Sequence, residues 1–146
     1  MTPIHVGLGV LTLITSALAG SWGAWRWYRV EPSPLFWKLL RVSQLVVLLT
    51  AVHGGVLLLL GEEVDGLHLL YGTLPLVVSV IAEQLRLLAA QTVLDTRGLP
   101  DAQAMRALPA EEQRSIVLAI VRREMGVMTA AALVTVVLAL RAAGWL

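Results

Sequence analysis

Three side chains in this sequence have metal-ligand and proton-transfer chemistry near neutral pH: His5, His53 and His68. Two of them recur in the same setting. PIHVGLG, residues 3 to 9, and GLHLLYG, residues 66 to 72, both read His-x-x-x-Gly at the head of a long apolar run. On a helix this spacing puts Gly9 and Gly72 one turn beyond their histidines on the same face. There is no cysteine, so disulfides and thiolate metal sites are excluded. P-loop, GxGxxG and HExxH motifs are absent, as are acids paired at catalytic spacing.

The elements that must position these histidines are membrane spans. Hydrophobic residues make up 58% of the chain and charged residues 14%, outside the range of soluble domains. Mean hydropathy is +0.79. Met1 to Trp25, Val42 to Gly61, Gly66 to Ala82 and Met125 to Leu140 each lack Asp, Glu, Lys and Arg. About 20 apolar residues in a helix cross the hydrocarbon core, and arginines at the ends can snorkel. We therefore expect an all-α, integral membrane, up-down four-helix bundle forming one domain. Its spans are expected at about 3–25, 36–61, 66–88 and 115–143, with a helical connection at about 89–114. The first run ends near an Ala17-Leu18-Ala19 triplet that imitates a signal-peptide cleavage site. No basic residue precedes it, so it reads as a retained helix.

Basic residues set the expected orientation. Arg26, Arg29, Lys38 and Arg41 flank the first connection, and Arg86, Arg97, Arg106, Arg114, Arg122 and Arg123 flank the third. The second, GEEVD, has none. By the positive-inside rule the first and third connections are cytoplasmic and both chain termini lie outside, in a multi-pass protein of the cell's inner membrane. Trp22, Trp25, Trp27, Tyr28, Phe36 and Trp37 form an inner aromatic belt, with Tyr71 and Trp145 near the outer one. The net charge of +1 hides this segregation, and no nucleic-acid partner is expected.

Punctuation defines the connections. EPSP, at 31 to 34, is a stiff turn, and GEEVD forces an antiparallel hairpin. The third apolar helix should continue to the stop at Gly98-Leu99-Pro100, followed by a short helix through DAQAMRAL. A new helix should start at Pro109-Ala110-Glu111-Glu112 and run into the fourth span. The cytoplasmic extensions read as amphipathic helices on the membrane surface. Ser16 and Gly20 have small-xxx-small spacing for close helix packing.

With this topology His5 and His68 lie at matching depth near the outer starts of spans one and three. Those spans are diagonal in an up-down bundle, so their imidazoles face one another across the core. That is the geometry for clamping a haem iron from both sides, with Gly9 and Gly72 clearing space for the porphyrin. Arg141, at the outer end of span four, is the candidate partner for haem propionates. His53 falls about eight residues before the outer end of span two, roughly 12 Å in from that end and so deeper than the other two, though still in the outer half of the membrane. It reads first as a structural residue bonded to a backbone carbonyl, with a third ligand or a quinone contact as alternatives. Taken singly, His5 and His68 also read as interfacial residues bonded to a neighbouring helix or water. A Zn²⁺ or Cu site completed by Glu62, Glu63 or Asp65 is the weaker metal reading.

The run Gln44-x9-Gly54-Gly55, a short turn, then Leu67-His68-x-x-x-Gly72 resembles the later helix pair in each half of haem A synthases. More loosely, the whole resembles the four-helix haem cores of cytochrome b561-type proteins. The resemblance covers residues 42 to 76 and implies a bis-histidine haem b with His68 as one axial ligand. The chain has half the spans of a haem A synthase, no outer-loop cysteine pair and no Glu-x-x-His on the preceding parallel helix. These departures remove synthase chemistry and leave haem binding, with His5 as the second ligand.

The function expected is therefore a small membrane cytochrome of b type, moving electrons between a quinol and an outer-face acceptor as a homodimer or within a larger membrane redox complex. It would be an electron carrier or subunit rather than a stand-alone enzyme. The alternative is a cofactor-free structural or assembly subunit. A small transporter or channel has least support, since no acid lies in mid-membrane and Glu83 and Arg86 can snorkel.

Overall fold

The computed structural model describes residues 2–146, and every regular element among them is helical. Helix α1 spans Pro3–Tyr28, α2 Pro34–Leu59, α3 Gly66–Thr96 and α4 Ala110–Ala142, with a single 3-10 turn at Ala104–Ala107. All four long helices are apolar and long enough to cross a membrane. By its 33 residues α4 is about 50 Å long, so part of it must extend beyond a hydrocarbon core of about 30 Å.

Local chemistry explains the boundaries. Thr2 caps α1, Ser33 caps α2 by accepting from Phe36 N at 3.2 Å, and Asp65 caps α3 by accepting from Leu67 N at 3.1 Å. Pro3 and Pro34 occupy first-turn positions, where the missing N–H costs nothing. Gly98, at φ +68°, ends α3 as expected. Pro109 stands at the N-cap of α4, with Glu111 and Glu112 in its first turn.

The helices alternate in direction. α1 packs on both α2 and α4, and α3 packs chiefly on α4, whereas α2 and α3 share a much smaller interface. The expected α2–α3 hairpin is thus joined by its turn but splayed along its length. The expected helix through DAQAMRAL is only the four-residue 3-10 turn. The extensions of α3 and α4 do not lie separately on a surface. Val93, Leu94 and Ile116 form a small core joined by Leu99, Met105 and Leu108, so the two apolar stripes cover each other and the connection caps them.

The main core groups Ala19, Phe36, Leu40, Ala82, Met125, Met128 and Ala132, at the end of the bundle where the tryptophans lie. Here α1 approaches its neighbours closely. A Cβ on Gly20 would lie 2.6 Å from Leu133 Cδ2, and one on Gly23 would lie 2.5 Å from Phe36 Cε2. Two hydroxyl pairs join α1 to α2: Ser16 with Ser43 at 2.8 Å and Thr12 with Thr50 at 2.9 Å. The opposite end, where the histidines lie, is built differently. No residue of α1 before Thr12, of α2 after Val47, of α3 before Pro75 or of α4 after Thr135 is fully buried.

Candidate functional site: a histidine layer at one end of the bundle

The first turns of α1 and α3 bring His5 and His68 together, with ring centroids 5.7 Å apart and planes at 58°. The two helices share no extended interface, so the imidazoles bridge the diagonal of the bundle. This is the juxtaposition expected from the repeated His-x-x-x-Gly.

His53 belongs to the same layer. Its ring stacks on His5 at 5.8 Å with 27° between planes. The expectation of a deeper His53 is therefore overturned. The sequence estimate assumed that α1 and α2 end level, but the last turn of α2 overhangs the start of α1. Leu59 and Leu60 are accordingly among the most exposed residues, at 88% and 76%. His53 is also not bonded to a backbone carbonyl: its Nε2 lies 3.3 Å from Thr2 Oγ1.

Each ring is held differently. His68 Nδ1 is 2.9 Å from the carbonyl oxygen of Ala142 at the end of α4. A carbonyl only accepts, so Nδ1 carries the proton and Nε2 keeps its lone pair when the ring is neutral. A carbonyl that accepts from one ring nitrogen in this way is what commonly orients a metal-binding histidine. The Asp65 carboxylate accepts from the His68 backbone N–H at 3.4 Å, fixing the turn from which the ring projects. Asp65 is thus the N-cap of α3. His5 sits against the backbone of Gly54, where an added Cβ would lie 3.2 Å from its Cε1. Its Nδ1 is buried without a hydrogen-bond partner. Such an atom costs about 1–3 kcal/mol until a donor, acceptor or metal satisfies it.

A Cβ on Gly9 or on Gly72 would meet nothing within 4 Å. Arg141 stands beside Ala142, over the Tyr71 ring at 5.6 Å, and its guanidinium reaches the carbonyl of Leu146. Among the described residues no group of three or more His, Asp or Glu side chains is arranged to hold a bare metal ion. The layer presents two imidazoles from diagonal helices, one with Nε2 left available and one with an unsatisfied nitrogen, at an end of the bundle where no side chain is fully buried.

Sequence reasoning missed two members of this layer, Thr2 and Gly54. Thr2 could have been found as a capping residue, since it directly precedes Pro3, a proline at a helix start. Gly54 appeared in the Gly54-Gly55 pair, but nothing local says which ring it seats.

No protein-family model, curated protein or solved structure matches the chain.

Proposed function

We propose that this is a small membrane cytochrome of b type, with haem b held between α1 and α3 at the end of the bundle shared by both chain termini. One observation carries the reading: His5 and His68, from helices with no extended interface, meet at 5.7 Å while Ala142 holds the His68 proton on Nδ1. His68 and His5 would hold the haem iron through their imidazoles, with His53 flanking His5. Gly9 and Gly72 would leave room for the macrocycle, and Arg141 would pair with the propionates. When bound, haem supplies a one-electron couple whose potential follows axial ligation, burial and nearby hydrogen bonds. The chain's contribution is to orient the imidazoles, exclude lipid from the iron and set the local dielectric.

The orientation that fits this reading has the histidine layer at the outer face of the cell's inner membrane and the arginine-rich connections in the cytoplasm. Electrons would pass between a quinol and an outer acceptor, or through a larger redox complex containing this chain or a second copy of it. A second reading, a cofactor-free structural or assembly subunit, draws on the stacking of His5 on His53 and the hydrogen bonds of His53 and His68 within the chain.

Visible spectra of the protein purified with haem supplied, oxidised and then dithionite-reduced, separate the two. A sharp Soret band and resolved reduced α and β bands, lost or shifted in both His5→Ala and His68→Ala, support the cytochrome. A folded, colourless protein that takes up no haem on titration overturns it and leaves the subunit reading.

A further inference from the structure

The end of the bundle opposite the histidines holds a cavity of about 550 Å³ between the end of α1 and the middle of α4. Trp27, Val30, Leu118, Arg122, Arg123 and Gly126 line it. Three features distinguish it from the surrounding surface.

The first is unspent charge. Four arginines at this end lie over tryptophan rings: Arg26 on Trp22, Arg29 on Trp25, Arg86 on Trp37 and Arg122 on Trp27. The first three also reach a carboxylate, Glu31 for two of them and Glu83 for the third. Arg122 does not, and neither does Arg123 beside it, among the described residues. Two guanidinium groups thus face one cavity with no anion from the chain. The second is the fitted wall. Trp27 is seated on Gly126 so closely that a Cβ there would lie 2.9 Å from the indole nitrogen. The third is backbone strain. Val30 holds φ +54°, a left-handed conformation that β-branched residues avoid. Strain of this kind persists where surrounding structure over-determines it and clusters at binding sites.

The depth of the cavity bears on which anion it would take. The charge-free run of α4 begins at Met125, immediately after Arg122-Arg123-Glu124, and the tryptophan rings lie at the same level. A phosphate at the boundary between apolar span and charged extension is that of a membrane lipid. We infer that this cavity binds the headgroup of an anionic phospholipid, with Arg122 and Arg123 on the phosphate and the Trp27 ring against the glycerol region. Basic pockets between spans at the cytoplasmic side recognise such headgroups. The site is independent of haem.

Native mass spectrometry of the detergent-purified full chain, incubated with equal phosphatidylglycerol and phosphatidylcholine, tests it. The wild type should retain phosphatidylglycerol preferentially. Arg122→Gln with Arg123→Gln should lower that preference about 30-fold, the loss expected from two arginines near a membrane surface. The control pair Arg106→Gln with Arg114→Gln removes the same charge outside the cavity and should keep the preference. Gly126→Ala, which displaces Trp27, should weaken retention with all arginines present. Equal loss in the control pair would reduce the effect to bulk charge and overturn the site. So would unchanged preference in the Arg122/Arg123 variant. Displacement of the lipid by millimolar inorganic phosphate would assign the cavity to free phosphate and overturn the lipid.

Discussion

His68 donates through Nδ1 to the carbonyl of Ala142 at 2.9 Å, tying the first turn of α3 to the last turn of α4. A single bond therefore fixes both a tautomer and a helix-end contact. Replacing His68 by Gln or Asn separates these roles, because an amide can still donate to Ala142 but is a poor iron ligand. His68→Gln should keep helix content and lose haem uptake. Circular dichroism beside a haem titration checks it, and full haem binding by the glutamine variant would remove His68 from the ligand set.

His53 stacks on His5 but lies on a helix adjacent to α1, not diagonal to it. His53→Ala should therefore leave bis-histidine spectra in place, while His5→Ala should abolish them or force His53 to substitute. Low-temperature electron paramagnetic resonance of the oxidised variants reads the ligand pair directly. Loss of the low-spin signal in His53→Ala, with retention in His5→Ala, would exchange their roles.

Gly23 is the tightest of the α1 glycines, with Phe36 of α2 on one side and Thr129 of α4 on the other. Neither a buried ring nor a helix-borne hydroxyl can retreat far in a packed core. Gly23→Ala should destabilise the bundle by about 1–3 kcal/mol through overpacking, and Gly9→Ala, with open space around it, by far less. Denaturant or thermal unfolding in detergent compares the two. If Gly9→Ala preserved the fold but reduced haem affinity, the clearance at Gly9 would be serving the cofactor.

Hydropathy, the EPSP turn, the Gly98-Leu99-Pro100 stop and the Pro109 start made the four helices legible in the sequence, since span length and turn residues act locally, whereas the capping roles of Thr2, Ser33 and Asp65 went unread. The His5–His68 meeting was legible too, because both rings sit two residues into helices that start at the same end. What escaped depends on relative axial shift. His53 joins the layer only because α2 overhangs α1, and no local pattern encodes that offset. The hydroxyl pairs Ser16–Ser43 and Thr12–Thr50 escaped for a related reason: each needs the register of two helices, while a lone serine or threonine in a span is unremarkable. Glu83 and Arg86 looked like snorkelling charges, yet Glu83 accepts from Gln44 at 3.0 Å and from Arg86 at 3.0 Å and also pairs with Arg41. These groups meet where α2 and α3 still approach each other, and that approach is a property of packing.

That network carries its own prediction. Glu83 joins α2 to α3 where their interface is otherwise small, and Arg86 extends the chain of charges to Glu124 of α4 at 3.8 Å. Removing the carboxylate leaves Arg41 and Arg86 facing each other without the anion between them. Glu83→Ala should therefore cost about 1.5–3 kcal/mol, the range for hydrogen bonds to charged groups, and Arg41→Ala less, because its guanidinium is half exposed. A double-mutant cycle on Glu83 and Arg41, read by unfolding in detergent, should give a non-zero coupling that weakens with salt. Strict additivity of the two substitutions would show that the α2–α3 seam is held by its turn and by lipid, not by this ion pair.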